Sequence, residues 1–385
     1  MIPEISSLEI AHLASGDTLS IQVYKFRGKN PGQKAYLQAN LHGAEIVGNA
    51  VIYQLIELLS ELDETQLDGE IWLVPACNPF GTNQRSHHFS SGRYNPYDGQ
   101  DWNRIFWDYE KTEEDIAAFA KTQLDLEPDE IRKNFLDRIL QKFQTLRQEI
   151  ESPSGVPYSD RYRYVLQSLC LDADYVIDIH SSTNRSFDYL YCFQTREESA
   201  KYFLLNYGIL LNEYDGDAFD EAFLKPWLAL ELELTKLEKP TFFDLESWTL
   251  ELGSGMEMNA DSVYRGVRGI KNYLVGKEML KISGFPLVQT ASQKVEFFRK
   301  SHIKKYYAPR GGLVRSRVLL GTIVKPGKLL YQLLVLNKTG EPPEILDVCA
   351  ERGGIVFDLS TNQAVNQGEY VLGLLERAES GAANP

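Results

Sequence analysis

Residues 35–45 read Ala35-Tyr36-Leu37-Gln38-Ala39-Asn40-Leu41-His42-Gly43-Ala44-Glu45, and the rest of the chain takes its meaning from them. The apolar run at 35–39 predicts a strand that ends at Asn40. At its mouth, His42 and Glu45 are separated by two residues, so one imidazole and one carboxylate can face the same ion. Gly43 between them lets the backbone turn tightly. Downstream, Val47, Val51, Ile52, Leu55, Ile56, Leu58 and Leu59 recur at helical spacing, which predicts a helix over 46–62. Residues 71–75 then read as a buried strand, closed by Pro75. Strand, loop, helix, strand is a βαβ rhythm and predicts a largely parallel sheet. Sites in such sheets lie at the carboxyl ends of the strands, where the His42–Glu45 pair stands.

Outward from that unit, residues 20–26 predict a strand joined to 35–39 by a turn at 28–32. Residues 81–104 form a polar loop too rich in Arg, His and Asp to be a mere connector. A charged, helical pattern covers about 108–165, expected as an insertion packed on the sheet edge and partly a lid. Strands are predicted at 175–180, 189–193 and 242–252, with helices at 218–238 and 263–280. After about residue 285, short β-rich runs separated by Gly, Pro and Asn predict a small sandwich or barrel. The expected fold is therefore α/β: a mixed, largely parallel sheet flanked by helices, with a smaller C-terminal all-β domain. The expected boundaries are 1–287 for the first domain, 288–377 for the second and a disordered tail at 378–385.

Composition narrows the classes. The 385 residues are 43% hydrophobic and 24% charged, which describes an ordinary soluble globular protein. A formal net charge of −14, with no Lys/Arg cluster to offset it, argues against nucleic acid. No apolar stretch approaches the roughly 20 residues that span a bilayer, and no secretory signal opens the chain. Cys77, Cys170, Cys192 and Cys349 lie far apart without a CxxC pair, so buried free thiols in a reducing, cytoplasmic setting are expected.

His42, Glu45 and His180 all fall at or just past predicted strand ends, separated by two and 134 residues. Two ligands on one loop and a third far along the chain make an open three-ligand zinc site, with a position left for water. Any one of these residues alone reads equally well as structural; the joint pattern decides. A hydrolytic zinc site also needs a general base, and Glu251 stands at the end of an apolar strand ahead of Gly253 and Gly255. Arg93 and Arg104 in the polar loop offer planar forks suited to carboxylates and to an oxyanion.

Taken together, His42-Gly43-Ala44-Glu45, Asn78-Pro79, Arg93 with Asp98-Gly99-Gln100-Asp101-Trp102-Asn103-Arg104, Asp178-Ile179-His180 and Thr249-Leu250-Glu251-Leu252-Gly253 resemble the succinylglutamate desuccinylase/aspartoacylase family. That family is a branch of the zinc carboxypeptidase-like fold. The similarity covers roughly residues 30–285 in the correct order. The C-terminal Ala308-Pro309-Arg310-Gly311-Gly312-Leu313 also resembles the family's extra β-domain. The resemblance implies one zinc per chain on His42, Glu45 and His180. It implies Glu251 as general base, then acid to the leaving amine, and Arg93 on the scissile carbonyl. Asn103 and Arg104 would grip a substrate carboxylate, and Asp101 would bond the outer nitrogen of His42.

Two departures stand near the expected substrate entrance: the helical insertion, and Ile105-Phe106-Trp107 in place of the usual Phe-Pro-Gly. His87 and His88 read as surface-loop residues, and Tyr306 and Tyr307 as candidates to reach the cleft from the C-terminal part. The expected activity is zinc-dependent cleavage of the amide of an N-acyl amino acid or related small carboxylate. The alternatives are a metallocarboxypeptidase acting on a peptide C-terminus and, more distantly, a non-catalytic binding protein on the same fold. Expected partners are a small carboxylate-bearing substrate or short peptide, with no nucleic acid and no membrane; a homo-oligomer is left open.

Overall fold

A computed structural model describes residues 1–87, 90–112, 115–211, 217–287 and 294–377. His88 and the expected tail at 378–385 lie outside them. The first part of the chain builds β1 (Glu4–His12), β2 (Thr18–Arg27), β3 (Asn30–Ala39), α1 (Val47–Glu61), β4 (Asp68–Val74) and α2 (Pro79–Asn83). Three helices follow, α3 (Ile116–Lys121), α4 (Pro128–Ile150) and α5 (Tyr158–Gln167). Then come β5 (Tyr175–Ser182), β6 (Arg185–Ser186), β7 (Tyr189–Phe193), α6 (Glu197–Ala200) and β8 (Tyr207–Leu211). The chain continues through α7 (Phe219–Lys236), β9 (Glu246–Ser254), α8 (Ala260–Gly276) and β10 (Glu296–Arg299).

Nine of these strands form one sheet in the order β1-β2-β4-β3-β5-β9-β7-β8-β10. The block β4-β3-β5-β9 is parallel, and β7 joins it antiparallel to β9. Because β3, β5 and β9 are covered on both faces, their sequences run nearly continuously buried instead of alternating. On one face, Leu37, Ile177, Leu250 and Leu252 pack with α1 and α8. On the other, Tyr36, Val176 and Leu211 share a core with α3, α4, α5 and α7. The 108–165 insertion shares this second core, and its α5 packs against β1, the edge strand of the sheet. Among the described residues, none between 108 and 165 lines the cleft described below. Trp107 packs edge-on against Phe143 of α4, and Phe106 against Phe219 of α7. The Ile105-Phe106-Trp107 departure thus docks the insertion and lines no part of the cleft.

The sheet takes its last strand, β10, from beyond residue 287, where the sequence predicted a strand of the small β-unit. It adds parallel to β8. The remaining chain forms β11 (Ile303–Tyr307), β12 (Gly312–Arg315), β13 (Ile323–Val324), β14 (Leu329–Val335), β15 (Glu344–Cys349), β16 (Gly354–Leu359), β17 (Ala364–Val365) and β18 (Tyr370–Glu376). These make two antiparallel sheets, β11-β18-β16-β13 and β15-β14-β12-β17, over a core that includes Tyr331, Leu333, Leu372 and Leu374. β6 hydrogen-bonds to β16, tying this unit to the segment that follows β5. No helix among the described residues is long and apolar enough to cross a membrane. Cys77, Cys170 and Cys192 are buried, whereas Cys349 is exposed; all four are free thiols.

Candidate active site

From β3 the chain moves to β4 on one side of the sheet and later to β5 on the other, so a crevice opens beyond the carboxyl end of β3. The 40–46 loop fills its floor. Asn40 adopts a left-handed conformation (φ 69°), and its Nδ2 donates to the carbonyls of His42 and Gly43 at 3.1 and 3.0 Å. Asn78 at the start of α2 donates to the Leu41 carbonyl at 2.8 Å. Gly43 is required for a reason other than the turn expected of it. A Cβ there would stand 2.0 Å from the Gly81 carbonyl oxygen, because the backbones of Gly81 in α2 and Gly92 in the loop after it press directly on Gly43.

Glu45 lies between the two imidazoles. Its Oε1 is 2.9 Å from His42 Nδ1 and its Oε2 is 2.8 Å from His180 Nδ1. The Ser181 backbone N–H donates to the same Oε2 at 3.2 Å. Each imidazole turns its other nitrogen outward to a carboxylate. His42 Nε2–H donates to Asp101 Oδ1 at 3.0 Å, and His180 Nε2–H to Asp178 Oδ2 at 2.8 Å. The chain of contacts continues at both ends: Arg93 Nε donates to Asp101 Oδ2 at 2.9 Å, and Gln38 Nε2 to Asp178 Oδ1 at 3.0 Å. Asp178 was not singled out from the sequence. Its signal was the i, i+2 spacing to His180, which in a strand puts both side chains on one face.

This geometry suits a cation. Every ring nitrogen of the pair faces a carboxylate oxygen; with a cation between the imidazoles, Asp101 and Asp178 would take the outward protons and leave Nδ1 of each ring to ligate it. The donor atoms of His42, Glu45 and His180 all lie within 4.8 Å of one another, and all three residues are buried. Three carboxylates, Glu45, Asp101 and Asp178, surround the two imidazoles, and Arg93 is bonded to Asp101. Burial works against charge on Glu45, yet His42 and His180 hold its carboxyl well below the usual range. Burial likewise opposes charge on His180, and Asp178 and Glu45 outweigh it. A divalent cation would satisfy the same cluster.

Glu251 stands apart from this chain of bonds. It lies opposite His180 in the register of β5 and β9. Its Oε2 is shut off from solvent with no hydrogen-bond partner. Burial, with Glu45 beside it, pushes its carboxyl up to about 7. Behind it, Asp188 accepts from the Gly253 N–H and from Ser262 Oγ, both at 2.8 Å, and pins the turn that ends β9.

These groups line a cleft of about 720 Å³. Arg93 is half-buried there, with Nη1 3.9 Å from Glu45 Oε1. Arg104 is exposed at its side and has no carboxylate partner among the described residues. Asn103 lines the cleft while its Oδ1 accepts from the Phe219 N–H at 2.9 Å, so it also caps α7. Asp220, missed in the sequence, lines the same wall and accepts from Thr249 Oγ1 at 2.8 Å. Lys305, Tyr307, Asp358 and Tyr370 arrive from the C-terminal unit. Of the two tyrosines expected there, Tyr307 reaches the cleft, whereas Tyr306 turns into the β-core and accepts from the Glu351 N–H. His87 is exposed and lines no part of it.

A model of the succinylglutamate desuccinylase/aspartoacylase catalytic domain matches residues 31–211. Among solved structures, a protein assigned to that family from Shewanella amazonensis aligns with a TM-score of 0.85 at 31% identity, over 97% of this chain and 98% of that one. Another from Shewanella frigidimarina gives 0.87 at 28% identity, over 97% of each chain. A third, from Rhodobacter sphaeroides, shares the fold at 18% identity, with a TM-score of 0.67 over 98% and 95%. A comparison with curated proteins gave no match.

Proposed function

The chain belongs to the succinylglutamate desuccinylase/aspartoacylase family of hydrolases, and from that premise we propose that it is a zinc-dependent amidohydrolase acting on an N-acyl amino acid or related small carboxylate. One observation carries the reading: a buried His-Glu-His set shares a cleft with a carboxylate, Glu251, whose buried Oε2 has no hydrogen-bond partner among the described residues and whose affinity for protons is raised. His42, Glu45 and His180 would hold one zinc ion, and Asp101 and Asp178 set the tautomers that present Nδ1 to it. Bound there, zinc would polarise the scissile carbonyl and make a nearby water a better nucleophile.

Glu251 takes the proton from the attacking water and returns it to the departing nitrogen, which a carboxyl titrating near neutrality does well in both directions. Arg93, held by Asp101, faces the charge that develops on the carbonyl oxygen. Arg104 and Asn103 receive a substrate carboxylate at the cleft side, where the Arg104 guanidinium, tethered by Nη1 to the Asn103 carbonyl, has no carboxylate partner among the described residues. A cytoplasmic setting, with free thiols kept reduced, belongs to the same proposal.

The test is a panel of N-acyl amino acids and dipeptides assayed with metal-stripped and zinc-reconstituted protein. Zinc-dependent release of free amino acid from N-acyl substrates supports the reading. Preference for dipeptides would make the protein a carboxypeptidase instead. Turnover unaffected by metal removal would overturn the zinc assignment.

A further inference from the structure

Asp358 belongs to β16 in the C-terminal unit, yet its carboxylate forms part of the cleft wall. It is buried and accepts three hydrogen bonds: from Ser182 Oγ at 2.6 Å, Tyr370 Oη at 2.6 Å and Asn184 Nδ2 at 3.1 Å. Two of these donors are Ser182, at the end of β5, and Asn184, just beyond it. Ser182 stands two residues beyond His180, and its Oγ also accepts from the Asn184 N–H at 3.1 Å. Asp358 then pairs opposite Ser186 as β6 joins β16, and Ser186 Oγ donates to the Phe357 carbonyl at 2.9 Å.

Bonds to a carboxylate are shorter and stronger than neutral ones, and a buried carboxylate tolerates desolvation only while its donors stay in place. Asp358 and the 182–184 segment therefore hold each other. Ser182, Thr183 and Asn184 all face the cleft. His180 does not depend on this anchor, because Asp178 and Glu45 bond both of its ring nitrogens.

We infer that Asp358 is a positioning residue for substrate, fastening the 182–184 wall of the cleft to the C-terminal sheet. The inference rests on the hydrolase reading above. It assigns Asp358 to substrate binding, separate from the metal centre and from the proton transfers of Glu251.

Two measurements on full-length, zinc-loaded protein test it: amide hydrogen exchange across 182–187, and KM and kcat on the preferred N-acyl substrate. In Asp358→Ala, exchange at 182–187 should quicken about tenfold while the rest of the chain keeps its protection. KM should rise about tenfold with kcat within about threefold, the loss expected for one charge-assisted anchor. Zinc content should stay stoichiometric, and Asp358→Asn, which keeps one acceptor, should fall between. Unchanged exchange at 182–187 overturns the inference whether or not the protein turns anything over. Loss of kcat at constant KM, or loss of zinc, overturns it too, by moving the role to the metal centre. Exchange quickened throughout the chain would mark Asp358 as merely structural. Should Asp358→Ala not fold, Ser182→Ala removes a single donor and is read in the same way. A wild type that hydrolyses no panel member sinks the proposed function and leaves the exchange result to judge Asp358.

Discussion

His180 and Glu251 stand directly opposite each other on the neighbouring parallel strands β5 and β9. The strand carrying one imidazole of the proposed metal set thus pairs with the strand carrying Glu251, whose Oε2 has no hydrogen-bond partner among the described residues. Parallel pairing aligns the carboxyl ends of the two strands, so both side chains emerge at the same level of the sheet. The separation of 71 residues between them (251 − 180) is erased by backbone hydrogen bonding alone.

Glu251→Gln should keep its metal and its fold, since the side chain is isosteric and Oε2 makes no hydrogen bond to lose. Turnover should drop by about two to four powers of ten. Rates near wild type would remove Glu251 from the role of base.

His180→Ala should yield protein without stoichiometric zinc by elemental analysis. Removing one of three protein donors leaves Glu45 and His42 too few to hold the ion. A full complement of zinc in this variant would exclude His180 as a ligand.

Asp178→Asn keeps the packing around Gln38 and weakens the carboxylate that orients His180. Zinc affinity, measured by competition with a chelator, should fall by about 10–100-fold. An unchanged affinity would mean that Glu45 and the strand backbone suffice to orient the ring.

Arg104→Ala should raise KM for carboxylate-bearing substrates and spare neutral amides of the same acyl group. Arg104 is exposed at the cleft and holds no internal carboxylate, so the fold should lose little. Equal damage to both substrate types would rule out a carboxylate clamp.

Gly43→Ala drives a methyl group into the Gly81 backbone. Denaturant unfolding should show a loss of about 1–3 kcal/mol, the usual cost of overpacking. Wild-type stability would mean that the loop around Gly81 and Gly92 can retreat.

Much of this architecture was legible in the residues. The strands at 35–39 and 175–180, the helix after Glu45 and the strand ending in Glu251 carry strong periodic or apolar signals, and the structure contains all of them. β1 went unseen because Glu4–His12 is an edge strand with little burial to pattern it. β10 was assigned to the wrong unit because four residues of β-propensity say nothing about which sheet they join. The amphipathic stripe of α4 shows that it buries one side without saying against what, and the structure puts Trp107 and Trp227 there.

The site divides along the same line. Local chemistry, spacing and strand ends, together with the family resemblance, were enough to nominate His42, Glu45, His180 and Glu251. Only the tertiary structure decided that both imidazoles present Nδ1, that Asp178 backs His180 as Asp101 backs His42, and that Asp358 reaches the cleft from the C-terminal sheet. The physical reason is range. Periodicity and turn chemistry act over a few residues and leave their mark in the sequence, whereas a hydrogen bond between residues 182 and 358 depends on how two sheets meet.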